Sequence, residues 1–445
     1  MSEYAQVSVT NNDELPEIEF KVYKIRWLML FLYVFCCASS LMQWVQYSII
    51  ANTVVDYYNV SYTAVDWSSM IYLLVCIPFI FPACYVLDKM GIRISTLIGI
   101  GGTCLGSWIK LGSVSPERFW VVLVGQGVVG VSQIFMLGIP PKLAAVWFGS
   151  NQVSLACSIG LLGIQIGTAI GFLIPPILVD DQGDKEGVER GLYLMLIIVA
   201  LVTTILLIIV ITCFKERPVS PPSLAQSQIR QKREYNFKES LKELFSNHSF
   251  IFLAVSYGIN LGIFLAFSTL LNQIILKHYP DSEEDAGRIG LLIIVSGMVG
   301  SLTSGIILDT FSRFRETTVV VYVSSLLSML TFTFTLEKGI EIVYVVSAVF
   351  GFFVIALFTV GYELAAELTY PVEEGTSAGI LTGVAQFFGI VFTYLYSYLL
   401  NVTGDKTANL TMCSILFVSV FLIACVRYDL KRRAIQMEAR IAKLW

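Results

Sequence analysis

The heptapeptide Leu87-Asp88-Lys89-Met90-Gly91-Ile92-Arg93 lies between two apolar runs, 67–87 and 94–112, each long enough to cross a bilayer core of about 30 Å. An acid, a glycine and two bases are the only polarity between them, so the loop reads as a tight hairpin joining adjacent spans. A second loop of the same kind follows Gly305: Leu308-Asp309, then Arg313 and Arg315, again between apolar runs. Asp309 lies 221 residues after Asp88, and the same offset carries Gln165 onto Gln386. A spacing shared by a loop and by a polar residue inside a span marks a parallel duplication.

Further apolar runs extend the pattern in both directions. Six are predicted at 27–54, 67–87, 94–112, 119–140, 154–179 and 191–213, and six more at 249–277, 287–308, 317–335, 341–366, 376–400 and 409–427. Of the 445 residues, 56% are hydrophobic and 14% charged, against roughly 25% charged in soluble domains. The runs are continuous, not alternating, which excludes an outer-membrane barrel. The organisation expected is an amino tail at 1–26, a six-helix half at 27–213, a linker at 214–248, a second half at 249–427 and a carboxyl tail at 428–445. The linker carries Pro218, Pro221 and Pro222, then Arg230, Lys232 and Arg233.

With both tails and the linker in the cytosol, 21 of the 29 basic residues fall on the cytosolic side, as the positive-inside bias requires. Eight remain outside, among them Lys110 and Arg288. The sequons at Asn59, Asn401 and Asn409 then face outward and are candidate glycosylation sites, while that at Asn247 stays bare. The amino-terminal segment has no signal-peptide pattern. A net charge of −4 carries no nucleic-acid signature, and the nine cysteines lack metal-type spacing.

Two parallel six-helix copies joined by a cytosolic linker resemble the layout of the major facilitator superfamily. The Asp, Gly and basic residues of the two loops resemble its signature loop, with Cys84 and Ser312 where glycines are usual. The resemblance implies an all-α membrane protein of twelve transmembrane helices in two six-helix halves, with a solute site between them near the midplane.

Helix 1 is the richest source of candidate site residues. Ser39, Ser40, Gln43, Trp44, Gln46 and Ser48 crowd together, with Ser40, Trp44 and Ser48 on one face. Trp44 lies ten residues before the end of its run, about 15 Å deep, where indole is out of its interfacial belt. It serves there either as a cavity wall, whose π face suits a quaternary ammonium, or as filler between helices. Gln133, Gln165 and Gln386 must find partners inside the bundle, as must Asn260 and Asn272. No Asp, Glu, Lys, Arg or His falls in the middle third of a predicted span, so the simplest expectation is uniport, without cofactor or metal. Asp88, Lys89, Arg93, Asp309, Arg313 and Arg315, with Glu363 and Glu367 one turn apart, are candidate gating latches between the halves, or plain topology-setting charges. His248 and His278 lie at or near loops.

Longer strings narrow the resemblance. Gln43-Trp44-Val45-Gln46-Tyr47-Ser48-Ile49-Ile50, Val65-Asp66-Trp67, Val146-Trp147-Phe148-Gly149, Ala286-Gly287-Arg288-Ile289-Gly290-Leu291, Thr369-Tyr370-Pro371 and Glu374-Gly375-Thr376-Ser377 resemble the feline leukaemia virus subgroup C receptor-related family. That family's members are carriers assigned to choline and ethanolamine, with an older assignment of haem export. The resemblance implies a site in which a helix 1 Trp and a helix 7 Tyr enclose the ammonium, with glutamines of helices 4, 5 and 11 around it. Trp44, Gln133, Gln165 and Gln386 match. The Tyr position holds Leu265, with Phe264, Phe267 and Tyr257 nearby, and the Asn before the helix 5 Gln is Ile164. The expected protein is a monomeric plasma-membrane facilitator of choline-like or ethanolamine-like amines. The alternatives are a haem exporter and a transport-inactive receptor or scaffold.

Overall fold

Lipid offers no hydrogen bonds, so an apolar run that crosses it must satisfy its backbone within itself, as a helix. The computed structural model describes residues 22–149, 152–179, 185–220, 222, 237–280, 282–311, 313–369, 372 and 374–428. Among them twelve helices are long and apolar enough to span a membrane. They are α1 (Ile25–Tyr58), α2 (Tyr62–Leu87), α3 (Lys89–Leu111), α4 (Pro116–Leu137), α5 (Ile159–Leu178), α6 (Lys185–Cys213), α7 (His248–Leu276), α8 (Glu283–Leu308), α9 (Phe314–Thr335), α10 (Ile340–Thr369), α11 (Thr376–Val402) and α12 (Asp405–Ala424). Shorter helices cover Ile139–Trp147 and Phe237–Ser246, the latter between the six-helix halves.

Two departures from the apolar pattern have physical causes. α6 and α8 begin before their apolar runs because acidic side chains, Glu186 in one and Glu283, Glu284 and Asp285 in the other, occupy the first turn, where the helix dipole favours them. α1 is not one continuous helix. It breaks after Val45, makes a 3₁₀ turn at Ser48–Ile50 and resumes as Ala51–Tyr58. Ser48 therefore leaves the register that an unbroken helix would share with Ser40 and Trp44. Trp44 also gains depth, with fourteen residues following it in α1, about 20 Å of helical rise.

Helices in lipid gain little from hiding apolar surface from one another, so close packing depends on small residues. Gly163, Gly167 and Gly171 of α5 form a stripe against α1. A Cβ on Gly167 or Gly171 would stand 2.5 Å from the carbonyl oxygen of Ala38 or Met42. In the second half the small residues come from α7, whose Gly258 and Gly262 lie on Val384 and Phe388 of α11. The halves meet along α5 against α8, where Gly287 and Gly290 receive Phe172 and Pro176, and along α2 against α11. α1 and α7 are the most buried spans.

The signature-like loop has its own explanation. Gly91 has φ +87°, a region that excludes side chains, and a Cβ there would overlap the Glu216 carboxylate. Glu216, from just after α6, accepts from the backbone N–H groups of Ile92 (3.0 Å) and Arg93 (2.7 Å), an anion on the first turn of α3.

Candidate functional site

Around the break in α1 the backbone carbonyls are taken up by side chains of other helices. Gln43 O accepts from Gln126 Nε2 of α4 (2.8 Å), Trp44 O from Ser69 Oγ of α2 (2.8 Å), and Ile49 O from Asn272 Nδ2 of α7 (2.8 Å). These bonds hold the Trp44 segment between both halves. Trp44 itself is only 5% exposed, and its Nε1 has no partner among the described residues. Ser40 Oγ, one turn earlier, and Gln386 Oε1 on α11 are likewise buried without a partner. Buried polar atoms normally find hydrogen bonds, so these three, among several unpartnered buried polar atoms of the described residues, have capacity left for a polar guest.

The other expected site residues divide. Gln133 is buried on α4, and Gln165 is half-buried. Lying two residues from both Gly163 and Gly167, Gln165 points off the glycine face that packs on α1. Leu265 is buried where the halves meet: a Cβ placed on Gly389 of α11 would stand 3.0 Å from both Leu265 Cδ1 and Leu73 Cδ1 of α2. Asn260 does not join the set. Its Nδ2 donates to Ser419 Oγ (2.5 Å) and its Oδ1 accepts from Ser325 Oγ (3.3 Å), so both ends are engaged within the second half. Phe267 is committed to the same half, edge-on to Phe332 and Phe350.

The gating candidates are spread over both halves. Arg93 donates to the Ile211 carbonyl within its own half, Lys89 lies 5.3 Å from the Tyr85 ring, and Arg313 and Arg315 are exposed. Glu363 is half-buried and Glu367 buried on α10. The side chains of Asp88 and Asp309 lie outside the described set, as does part of the Thr369 to Ser377 string.

Among the described residues, hydrogen bonds that cross between the halves cluster at the end opposite the linker. Asp66 of α2 accepts from Gln273 Nε2 of α7 (2.7 Å) and Ser397 Oγ of α11 (2.7 Å). Asn52 donates to Glu283 of α8, joined by Thr53 Oγ1 (3.3 Å). With Asn272 on Ile49, these contacts sew α1 and α2 to α7, α8 and α11. Toward the linker end, α2, α11 and the helix Phe237–Ser246 instead line an apolar cavity of about 270 Å³. Among the described residues, one end of the seam is polar and latched, and the other bears this apolar cavity.

Two charges at span ends, where a charge ordinarily meets water, are instead buried. Asp66 is 1% exposed and Lys110 0%. Their sequence signal is weak because each lies at or just beyond the edge of an apolar run, where a charge normally reaches the interface. Lys110, counted among the outer loop charges, is a core residue. Arg288 does stay at the surface, paired with Glu284 and Asp285. A third correction concerns Asn409. It is fully buried in α12, and its Nδ2, the atom a glycan would join, is enclosed by the bundle, whereas Asn59 and Asn401 are exposed. Asn247 caps α7 by accepting from Phe250 N (3.2 Å).

Comparison with known proteins agrees with this architecture. The Major Facilitator Superfamily profile matches residues 30–393. A Caenorhabditis elegans protein described as an uncharacterized MFS-type transporter, C09D4.1, is 46% identical over 95% of this chain and 72% of its own length. The Homo sapiens choline/ethanolamine transporter FLVCR2 is 42% identical over 95% of this chain and 81% of its own, and the Felis catus choline/ethanolamine transporter FLVCR1 is 42% identical over 93% and 74%. Among solved structures, a D-xylose-proton symporter superposes with a TM-score of 0.68 at 14% identity, covering 91% of this chain and 99% of its own. The fold, the repeat and these relatives together place the chain in the major facilitator superfamily and, within it, in the feline leukaemia virus subgroup C receptor-related family of membrane transporters.

Proposed function

We propose that this chain is a facilitative plasma-membrane carrier of choline and ethanolamine-like amines, working as a monomer by alternating access, with the linker and both termini in the cytosol. The observation that carries the reading is the trio of buried, unpartnered polar groups, Trp44 Nε1, Ser40 Oγ and Gln386 Oε1, on the broken α1 and on α11. An indole face at that depth receives a quaternary ammonium, which has no N–H to donate. An amide oxygen then accepts the substrate's hydroxyl, and Gln133 and Gln165 complete the polar lining. Relatives at 42% identity that are named choline/ethanolamine transporters support the same substrate class. Leu265, beside Leu73 and Gly389, gives one wall an aliphatic surface that suits N-methyl groups better than N–H donors, which ranks choline above ethanolamine.

In this reading the Asp66 and Glu283 contacts close the outer face, and the hollow linker end belongs to the inward-directed half of the cycle. Release outward requires those bonds to break together while contacts near the signature loops form. Neither alternative gains a specific observation. The two histidines lie at the ends of α7, and His278 is bonded to Asp405 (3.0 Å).

The test is saturable uptake of labelled choline and ethanolamine into vesicles reconstituted with purified protein. Trp44→Ala is expected to abolish uptake and Trp44→Phe to retain part of it, since a benzene face holds cations less strongly than indole. Wild-type vesicles that take up neither amine, or a Trp44→Ala variant equal to wild type, would overturn the proposal.

A further inference from the structure

We infer that Lys110 is a tethered cation, held at the break of α1 where an ion-coupled carrier would hold a free monovalent ion. The break leaves a helix C-terminus inside the membrane, and such an end carries partial negative charge from its last carbonyls. Interrupted helices of this kind are where membrane carriers coordinate cations. Here the positive charge arrives on a side chain from α3. Lys110 Nζ donates to Gln43 Oε1 (2.6 Å) and Gln126 Oε1 (3.0 Å), and it lies 5.9 Å from the centre of the Tyr47 ring.

The surroundings suit a single charge. Two amide oxygens and a π face are neutral ligands, and no carboxylate pairs with Lys110 among the described residues. The amides are themselves oriented: Gln43 Nε2 donates to Ser39 O (2.9 Å), Ser107 Oγ to Gln43 Oε1 (3.1 Å), and Tyr72 OH to Gln126 Oε1 (3.3 Å). Room for the lysine stem comes from Gly125 of α4, where a Cβ would overlap Lys110 Cγ. The result is a built oxygen cage whose cation cannot leave.

Two consequences follow. The break of α1 is neutralised without a bound metal ion, so no ion gradient is needed to hold it. Gln43, bonded to the ammonium, adjoins Trp44, so the same charge sets the position of the indole wall. Lys110 is therefore a positioning residue. The inference rests on the fold and the helix break and not on which amine is carried, so its primary readout is thermal stability without substrate.

The experiment measures Tm of the detergent-purified protein in sodium, potassium and N-methylglucamine chloride, together with Lys110→Ala, Lys110→Gln and Lys110→Arg. Wild type is expected to have the same Tm in all three salts. Lys110→Ala is expected to melt several degrees lower and to recover on adding ethylammonium, sodium or potassium, each able to enter the vacated cage. Lys110→Gln keeps N–H donors without charge and is expected to lie well below Lys110→Arg, in Tm and in folded yield. Uptake by Lys110→Ala, where measurable, falls at least about tenfold, the scale of one lost charge-assisted bond. The inference is overturned by a wild type that sodium or potassium stabilises, by a Lys110→Ala loss that none of the three cations restores, or by Lys110→Gln equal to or above Lys110→Arg.

Discussion

Replacing Asp66 by Ala removes the central latch between the halves and exposes what the polar seam contributes. In the closed arrangement its two carboxylate oxygens accept from Gln273 and Ser397, each at 2.7 Å, in a site 1% exposed. A hydrogen bond to a charged group contributes about 1.5–3 kcal/mol net of rehydration. The Asn52–Glu283 and Asn272–Ile49 bonds survive the substitution, so the lower end of the combined range, about 3 kcal/mol, is the appropriate figure. That corresponds to a shift of roughly 150-fold in the ratio of closed to open polar seam. The assay is modification of a cysteine introduced at Ile49, a seam position 1% exposed, by a membrane-impermeant maleimide added outside. The exposed Cys213 and Cys425 are first replaced by Ser. The expected rate increase is up to about 150-fold for Asp66→Ala and smaller for Asp66→Asn, which keeps one acceptor oxygen. A change of less than about threefold would refute the assignment of Asp66 as a latch.

Two further outcomes test other parts of the structure. Gly91→Ala forces a side chain into φ +87° and into the Glu216 carboxylate, so it should destabilise by about 1–3 kcal/mol and lower Tm, whereas Glu216→Gln, which still accepts one bond, should lower it less. Glycan mapping by mass spectrometry of protein from a eukaryotic host should find occupancy at Asn59 or Asn401 and none at Asn409, whose side chain is sealed within α12; a glycan on Asn409 would contradict that packing.

Much of this protein is legible in one dimension because lipid leaves the backbone so few options. Twelve continuous apolar runs have to be helices, and the offset from Asp88 to Asp309, repeated from Gln165 to Gln386, defines two parallel halves before any contact is known. Trp44 and Gln386 stand out for the same reason: an indole or an amide at bilayer depth is conspicuous in a string of apolar residues. Groups near span ends acquire their roles only through three-dimensional packing. Lys110 and Asp66 look in sequence like interfacial charges. One closes an amide cage under the break in α1, and the other joins α2 to α7 and α11. Asn260 and Asn409 look like a site residue and a glycan acceptor, yet Asn260 has both ends bonded inside the second half and Asn409 is sealed within α12. The break in α1 is equally hidden, because its apolar run is unbroken and the side chains that replace the missing backbone bonds come from α2, α4 and α7. A polar group's role depends on which partner the fold brings within about 3 Å, and that distance is set by helices far apart in the chain.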